Sequence, residues 1–441
     1  MRFVDGSKVA LFASALVVSF AFGVACGIYR IFPYGVLKEA YGTAADLHDH
    51  WDSYRGRAPD RWLRPATRAG AGVTIAKPGR YEDGWTFVSS LFDGEVGLRL
   101  IGPDGRTLHS WRVRYLDLWS RAERAMLRSP LYNWDVGIMG AVLLPDASVI
   151  FTFNNGGLVK LDKCGRVLWK HPYLTHHSIF RSEDGTLWIP AAKPEIPPGQ
   201  PTHLDPLVAP FIEETILQVD AQGMILREIS VPKLILQNGL ESLLLANGVT
   251  DTVNLTEDYT HLNYVAVLQS ADAAAFPLFK AGDVLVSLRN LNLIFVFDPA
   301  TQKIKWYQIG PWLRQHDPRF THDGRISVYD NHTDNADGHR FGGSRIVSID
   351  PNTREVKVVY AGSEAAPFYS DKEGQHVYLD NGDLLISESM AGRIFEVDRH
   401  GEIVWEFINR YDDKRVIAET HAYGRFPPQY FQSVGFACEG P

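Results

Sequence analysis

Cysteine is scarce in this sequence, with three residues in 441, and neither a Cys-x-x-Cys pair nor a Cys/His zinc spacing occurs. These shortages exclude a disulfide-rich scaffold and a zinc finger. An excess of positive charge is lacking too, because 44 Lys and Arg face 52 Asp and Glu, for a net charge of −8. Surfaces that bind nucleic acid are usually basic, so we expect no nucleic-acid partner.

Long apolar runs are also absent, apart from one near the N-terminus. Residues Val9 to Tyr29 carry no charge, and a helix of this length would cross the hydrocarbon layer of a bilayer. The run is longer than the apolar region of a signal peptide, about 7–15 residues, and Arg30 follows it directly. We therefore predict an uncleaved transmembrane anchor, with a cleaved signal sequence as the alternative. The bulk of the chain is expected to lie outside the cytoplasm.

Turn residues are abundant by contrast, with 38 Gly and 25 Pro, and they separate the strands of a repeated pattern. An apolar strand ends in Asp, a turn follows, and a second strand often ends in Trp. The pattern recurs six times, at Asp104, Asp162, Asp220, Asp298, Asp350 and Asp398. Each copy predicts a β-hairpin, and a second hairpin precedes it, as in HSIFRSEDGTLWIPA.

Two hairpins make a four-stranded blade, and six blades close into a ring without a long exposed edge. We therefore predict an all-β fold, a six-bladed β-propeller preceded by one N-terminal transmembrane helix. An open β-sandwich of similar hairpins is the alternative. The predicted divisions are a membrane anchor over 1–30, a connector over 31–80 and the propeller over 81–441.

Two further features concern the connections of the propeller. An insertion between Val231 and Asp258 widens one interval of the repeat and reads as a loop or a short helix. Cys164 and Cys438 either pair where the C-terminus closes the ring or remain two buried thiols, and the sequence leaves both outcomes open.

Three histidines share one position in the repeat. His177 and His316 each lie eight residues before the turn glycine of their hairpin, and His261 opens the corresponding strand of the blade between them. The first strand of each propeller blade lines the central channel. We therefore expect the three imidazoles to converge near one mouth of the channel, with His376, two positions off register, outside the group.

Arg289 follows the next strand of the His261 blade and adds a cation. Three imidazoles and a guanidinium suit a small anion, because arginine supplies several N–H donors and imidazole can donate, accept or attack. Two other interpretations stay open at this point: the histidines are structural channel residues, or they ligate zinc or copper. The loop with Asp330, Asp334 and Asp337 lacks the EF-hand pattern and reads as a solvated loop.

At these residues the chain resembles the arylsulfotransferase family of bacterial six-bladed propellers, over roughly residues 85–415. The stretches that carry the resemblance most specifically are DYTHLNY, VSLRN, QHDPRFTHDGRISVYDN and SRIVSID. The resemblance implies transfer of a sulfuryl group from an aryl sulfate to a phenolic acceptor, by a ping-pong reaction without a nucleotide cofactor. It also implies that His316 is the nucleophile that becomes a sulfohistidine, and that His261 and Arg289 assist at the same centre.

The family has a further histidine in the earlier blade, where THHS offers both His176 and His177, and the shared repeat position selects His177. The expected catalytic residues are thus His316, His261, Arg289 and His177, with no metal and no cofactor.

The expected partners are an aryl sulfate donor, a phenolic acceptor and the membrane, on the periplasmic side of the inner membrane. A homodimer stays open. The alternative function is a non-catalytic, membrane-anchored propeller that binds a ligand or a partner protein.

The chain departs from well-studied family members in two respects. Those members carry a separate N-terminal β-sandwich domain, for which residues 30–80 are too short, and they are exported with a cleaved signal. Both departures leave the identity of the acceptor less certain than the chemistry.

Overall fold

The computed structural model describes residues 6–29, 32, 34–49, 51–56, 58–197, 200–205, 207, 209–245, 258–431 and 435–438. The chain divides into two compact units, Met1–Arg61 and Trp62–Pro441. The first unit holds the helices α1 (Gly6–Tyr29), α2 (Tyr34–Asp49) and α3 (Trp51–Tyr54). Within α1, the segment Leu11–Tyr29 is long and apolar enough to cross a membrane, a test that a signal sequence near the N-terminus also passes.

The second unit consists mainly of short antiparallel strands. In chain order the strands are β1 (Leu63–Pro65), β2 (Gly72–Ala76), β3 (Trp85–Phe92), β4 (Glu95–Ile101), β5 (Thr107–Arg112), β6 (Ile138–Leu143), β7 (Val149–Phe153), β8 (Leu158–Leu161), β9 (Val167–His171), β10 (Leu174–Thr175), β11 (Phe180–Arg181), β12 (Leu187–Ala192), β13 (Glu214–Val219), β14 (Ile225–Ser230), β15 (Leu262–Val267), β16 (Val284–Leu288), β17 (Leu293–Asp298), β18 (Lys303–Ile309), β19 (His316–Phe320), β20 (Ile326–Asp330), β21 (Arg345–Ile349), β22 (Val356–Ala361), β23 (Gln375–Tyr378), β24 (Leu384–Glu388), β25 (Arg393–Val397), β26 (Ile403–Ile408), β27 (Arg415–Ile417) and β28 (His421–Phe426). The short helices of this unit are α4 (Tyr115–Leu118), α5 (Arg121–Arg124), α6 (Val231–Gln237), α7 (Glu241–Leu245) and α8 (Ser270–Ala273).

These strands form the six blades of a β-propeller, so the predicted fold is confirmed. Named from the inner strand outwards, blade 1 is β28-β3-β4-β5, and blade 2 runs from β6 to β9. Blade 3 comprises β10 to β14, blade 4 β15 to β18, blade 5 β19 to β22, and blade 6 β23 to β26 with β2 outermost. The inner strands of neighbouring blades contact one another around the ring. A separate two-stranded sheet pairs β1 with β27.

The repeated aspartate closes the turn between the third and fourth strands of its blade. Asp162 Oδ1 accepts the backbone N–H of Cys164 at 2.8 Å and that of Arg166 at 2.9 Å. Asp220 and Asp398 bind the N–H groups two and four residues later in the same way. The side chain thereby satisfies turn donors that the strands cannot pair, which is why this residue type recurs.

The tryptophan that follows this turn joins its blade to the next one. The indole N–H of Trp111 in blade 1 donates to the carbonyl oxygen of Asp162 in blade 2, at 3.2 Å. The indole N–H of Trp405 in blade 6 donates to Pro103 of blade 1, at 2.9 Å. Both tryptophans are fully buried, so each fills the wedge between two blades and keeps its polar atom satisfied.

Two strand pairings between the ends of the chain close the ring. The strand β28, near the C-terminus, is the inner strand of blade 1 beside β3. The strand β2 pairs with β26 and covers the outer edge of blade 6, where Val73 packs against Trp405 and Phe407. The range predicted as a connector, 31–80, therefore includes β1 and β2, and the domain limits of the sequence analysis stay a prediction.

The insertion of the repeat contains two short helices, α6 and α7. Ser230 caps α6 by accepting the N–H of Lys233 at 3.4 Å, and Pro232 lies in its first turn. Both are typical features of a helix start. The rest of the insertion, 246–257, lies outside the described residues.

Cys164 and Cys438 form a disulfide, with their Cα atoms 5.6 Å apart. The bond joins the C-terminal segment to the turn between the third and fourth strands of blade 2. Phe436 of that segment packs against Trp85 and His109 of blade 1. Of the two outcomes that the sequence left open, pairing is therefore the one found.

Breaking this disulfide should destabilise the propeller. We expect Cys164→Ser to lower the free energy of unfolding by about 2–5 kcal/mol, because the bond restricts the unfolded chain and holds the closing segment. The melting temperature measured by calorimetry checks the expectation. Cys26→Ser, which removes a free cysteine, is the matched control. Equal melting temperatures for the two variants would contradict the expected role of the disulfide.

Candidate functional site

The four residues singled out in the sequence lie close together in the structure. The ring centroids of His177 and His261 are 5.0 Å apart, and those of His177 and His316 are 6.4 Å apart. We call these three imidazoles the histidine cluster. The backbone N–H of Arg289 donates to the carbonyl oxygen of His261 at 3.0 Å, which places Arg289 beside the cluster.

The backbone around the cluster is constrained. His177 and His261 have left-handed conformations, with φ of 55° and 51°, and such conformations cost a non-glycine residue about 1–2 kcal/mol. Gly140 on the inner strand of blade 2 lies directly against the backbone of His177 and Ile179, where a Cβ atom would clash. The packing of blade 2 on blade 3 therefore requires glycine at this position and holds His177 in place.

The hydrogen bonds of His316 determine which ring nitrogen carries the proton. Its Nδ1 lies 2.6 Å from Asn331 Oδ1 and 3.1 Å from the carbonyl oxygen of Arg314. The amide nitrogen of Asn331 donates to the carbonyl oxygens of Ser370 and Glu373, which fixes the orientation of the amide. Since both partners of Nδ1 accept, Nδ1 is protonated and the lone pair lies on Nε2.

His316 is also held in the neutral state. Burial, together with the charge of Arg289, lowers the pKa of His316 to about 3. Its Nε2 is buried and has no hydrogen-bond partner within the described part of the chain. His316 therefore presents an unprotonated, unpartnered nitrogen at pH 7, which is the state of an imidazole nucleophile.

His261 forms a carboxylate–imidazole pair. Its Nδ1 is hydrogen-bonded to Asp258, whose second oxygen accepts the backbone N–H of His261 at 2.8 Å. Burial lowers the pKa of His261, although the hydrogen bond that the ring donates to Asp258 acts against this. The neutral ring therefore carries its proton on Nδ1, and its buried Nε2 is free to accept one.

The sequence left His176 and His177 as alternatives, and the structure separates them. His177 lies against the rings of His261 and His316, whereas His176 is buried behind it with its Nδ1 2.8 Å from Nδ1 of His177. Glu214 lies 3.9 Å from Nε2 of His176 and accepts hydrogen bonds from the segment that precedes β15. Burial raises the pKa of Glu214 to about 8, so it supports the cluster as a neutral acid.

Two guanidinium groups make the site positive. Burial lowers the pKa of Arg289, and the neighbouring charge of Arg314 lowers it further. The Nε atom of Arg289 is buried and has no hydrogen-bond partner among the described residues. Both guanidinium groups donate to Asn290 Oδ1, Arg314 at 2.6 Å and Arg289 at 3.4 Å. The buried Nε–H of Arg289 is thus the donor that is available to an anionic ligand.

The arylsulfotransferase (ASST) family model matches residues 140–410, which is more than half of the chain and includes the histidine cluster and both arginines. The chain belongs to the arylsulfotransferase family. No curated protein matches it.

Solved structures share only the general fold of this chain. A protein of unknown function from Bacteroides caccae is 13% identical with a TM-score of 0.45, covering 73% of this chain and 93% of its own. Kuenenia stuttgartiensis hydrazine synthase is 12% identical with a TM-score of 0.42, covering 76% and 80%. Virginiamycin B lyase from Staphylococcus aureus is 13% identical with a TM-score of 0.35, covering 63% and 71%. At these values the likenesses carry no argument about function.

Several polar residues of the candidate site were missed in the sequence. A small cavity beside His316 and His177 is also lined by Glu373 and His421. Asn331 and Asp258, the partners of His316 and His261, were not singled out either. Within the described ranges, no group of three or more His, Cys, Asp or Glu side chains has the arrangement of a metal site.

Proposed function

We propose that this arylsulfotransferase moves a sulfuryl group from an aryl sulfate to a phenolic acceptor through a sulfohistidine at His316, without a nucleotide cofactor. The observation that carries the proposal is the state of His316: Nδ1 donates to Asn331, and Nε2 is buried with no partner in the part of the chain that the structure describes. A nitrogen held in this way loses little hydration on attack, and its direction is already set.

In the first half-reaction, His316 Nε2 attacks the sulfur, the N–S bond forms and the bond from sulfur to the phenolic oxygen breaks. We expect a loose transition state, with charge on the equatorial sulfuryl oxygens and on the departing phenolate. Arg289 and His177 hold the sulfuryl oxygens, because the unpartnered guanidinium nitrogen and the adjacent imidazole lie beside His316.

In the second half-reaction, the acceptor phenol attacks the sulfur and returns His316 to its neutral state. His261 accepts the phenolic proton on Nε2, and the carboxylate of Asp258 stabilises the imidazolium that results. The neutral ring has no proton on Nε2, so it is suited to accept from the acceptor rather than to donate to the leaving phenolate. The first product leaves before the acceptor binds, which makes the reaction ping-pong.

The proposal is tested by the release of nitrophenol from 4-nitrophenyl sulfate, using the purified full chain in detergent. Without an acceptor we expect a single burst that is stoichiometric with the enzyme, and with added phenol we expect continuous turnover. Absence of release from folded protein across several aryl sulfates would contradict the proposal and favour a non-catalytic propeller that binds a ligand.

Asn331 is expected to position the nucleophile. Asn331→Ala removes the acceptor of His316 Nδ1–H, so we expect kcat to fall about 10–100-fold while KM for the donor changes little, as for other groups that orient a reactive imidazole. The burst rate with 4-nitrophenyl sulfate measures this. Asn335→Ala, in the same loop, is the control, and a change in KM alone would contradict the assignment.

We also propose that the propeller is held by its N-terminal helix on the periplasmic side of the inner membrane. The apolar segment Leu11–Tyr29 supports an anchor. The disulfide between Cys164 and Cys438 supports a compartment outside the cytoplasm, since cytosolic thiols are usually kept reduced.

A further inference from the structure

The left-handed residues beside the inner strands form two groups of different chemistry, an imidazole half and a carboxyl half. Left-handed residues precede the inner strands of four blades: His177 and His261 in blades 3 and 4, and Glu373 and Glu419 in blades 6 and 1, with φ between 51° and 57°. The imidazole half is used in the proposed function, whereas the carboxyl half has been given no role. Strained positions of this kind persist where the surrounding structure imposes them, and they cluster at active sites.

Glu373 brings a carboxyl group to the nucleophile. Its side chain lines the same small cavity as His316 and His177. Its Oε2 atom is buried without a hydrogen-bond partner within the described residues, and it lies 3.5 Å from Nε2 of His421. His421 is 2% exposed, and its Nδ1 is 3.0 Å from Ser389 Oγ. An unpartnered carboxyl oxygen facing a reaction cavity is costly unless a ligand or a proton satisfies it.

The backbone of Glu373 is joined to the support of the nucleophile. The amide of Asn331 that orients His316 donates to the carbonyl oxygen of Glu373. The next residue, Gly374, has φ of 117° and lies against the ring of Tyr329, where a Cβ atom would clash. The segment is therefore fixed relative to His316, so the carboxyl group has a defined position in the cavity.

The first half-reaction needs a proton on the leaving oxygen, and neither His316 nor His261 supplies it. A phenolate that leaves from sulfur becomes basic as the S–O bond breaks, but the neutral His261 and His316 both lack a proton on Nε2. We propose that Glu373 is the general acid of the first half-reaction, donating its carboxyl proton to the leaving phenolic oxygen, and that His421 positions it. The proposal rests on the sulfotransferase function proposed above.

The charges around Glu373 are consistent with a carboxyl group that keeps its proton. Burial raises the pKa of Glu373, and Asp371 raises it as well, against the opposing effects of Lys372, Arg64 and Arg289. Burial raises the pKa of the neighbouring Glu419 to about 7. Burial lowers the pKa of His421 to about 4, so this ring stays neutral. Carboxyl groups with raised pKa values serve as acids near neutral pH.

The proton balance of the cycle is complete. In the first half-reaction the S–O bond breaks, the N–S bond to His316 forms, and the proton of Glu373 goes to the departing oxygen as phenol leaves. In the second, the acceptor oxygen binds sulfur, the N–S bond breaks and the acceptor proton goes to His261. The proton then passes from the imidazolium of His261 to the carboxylate of Glu373 through solvent, which restores the starting state.

The test is the dependence of the burst on the leaving group, measured without acceptor. For Glu373→Gln we expect the burst with phenyl sulfate to slow about 10²–10³-fold, because phenolate is a poor leaving group that needs protonation. With 4-nitrophenyl sulfate, whose phenolate leaves readily, we expect a change of less than about threefold. The second donor thus reports folding and an intact nucleophile in the same variant.

Glu364→Gln is the matched control, since it makes the same change at an exposed carboxylate that does not line the cavity, and both donors should react as with the wild type. His421→Gln should lower the phenyl sulfate burst and spare 4-nitrophenyl sulfate. The proposal would be overturned if Glu373→Gln slowed the burst equally with both donors, or if it did not slow the burst with phenyl sulfate.

A measurement on the wild type keeps the test independent of folding of the variants. A solvent deuterium isotope effect is expected on the burst with phenyl sulfate and not with 4-nitrophenyl sulfate, and its absence from both would also overturn the assignment of Glu373. A wild type without any burst would instead refute the sulfotransferase function, so the two failures are distinguishable.

Discussion

Replacing His316 with alanine is expected to slow the burst of nitrophenol from 4-nitrophenyl sulfate by about 10⁴-fold or more. The loss is expected in the rate of the chemical step and not as a rise in KM. The reason is that Nε2 of His316 is unprotonated and has no partner among the described residues, and that Asn331 orients this ring for attack. Loss of the nucleophile removes the covalent step itself, so excess donor cannot compensate.

The burst and the covalent intermediate are measured together. Rapid mixing with 4-nitrophenyl sulfate, followed by peptide mass spectrometry, should locate an added sulfuryl group on the peptide that contains His316. His322→Ala is the matched control, because His322 is 92% exposed in the turn that follows β19. Burst release that survives in His316→Ala, or a sulfuryl group on another residue, would refute the assignment of the nucleophile.

The blades could be predicted from the sequence because their determinants are local. The aspartate that caps each turn and the tryptophan after it lie within one hairpin, so the pattern is visible without knowledge of the fold. Ring closure could not be predicted in the same way. The pairings of β28 with β3 and of β2 with β26 join opposite ends of the chain, and no local pattern specifies such partners.

The histidine cluster could be predicted because residues at the same position of successive blades become neighbours in the folded ring. His177, His261 and His316 share one register, and the structure brings their rings together. Their roles stay predictions. Asp258 and Asn331 were missed because a hydrogen-bond partner of an imidazole has no characteristic spacing from it in sequence.

His421 was missed for a different reason. The shared position of the other histidines is visible within single hairpins, because a turn glycine marks each one. His421 lies in β28, whose partner strand β3 is far away in the sequence. A signal was nevertheless present, since Thr-His precedes or opens inner-strand segments at Thr175-His176, Thr260-His261 and Thr420-His421. Glu373 carried no such signal, because its importance comes from a left-handed backbone and a shared cavity that only the structure reveals.

The second large effect is expected at Arg289. For Arg289→Gln we expect kcat/KM to fall about 10²–10³-fold, because the guanidinium stabilises charge on the sulfuryl oxygens in the transition state. The pH dependence should change as well. The charge of Arg289 lowers the pKa of His316, after burial, so its removal lets that pKa rise towards its ordinary value near 6.5. Since only neutral His316 attacks, the acid limb of kcat/KM should move to higher pH in the variant.

Profiles of kcat/KM against pH for 4-nitrophenyl sulfate measure both effects in one experiment. Arg314→Gln is the matched control: its guanidinium is near the site but is bound to Asn290, and we expect a smaller loss of rate, below about tenfold. A merely structural role for Arg289 would lower the rate without displacing the acid limb. If the acid limb of kcat/KM stays in place and both variants lose the same rate, Arg289 does not act on the sulfuryl group or on His316. The anion site would then have to be assigned to other residues.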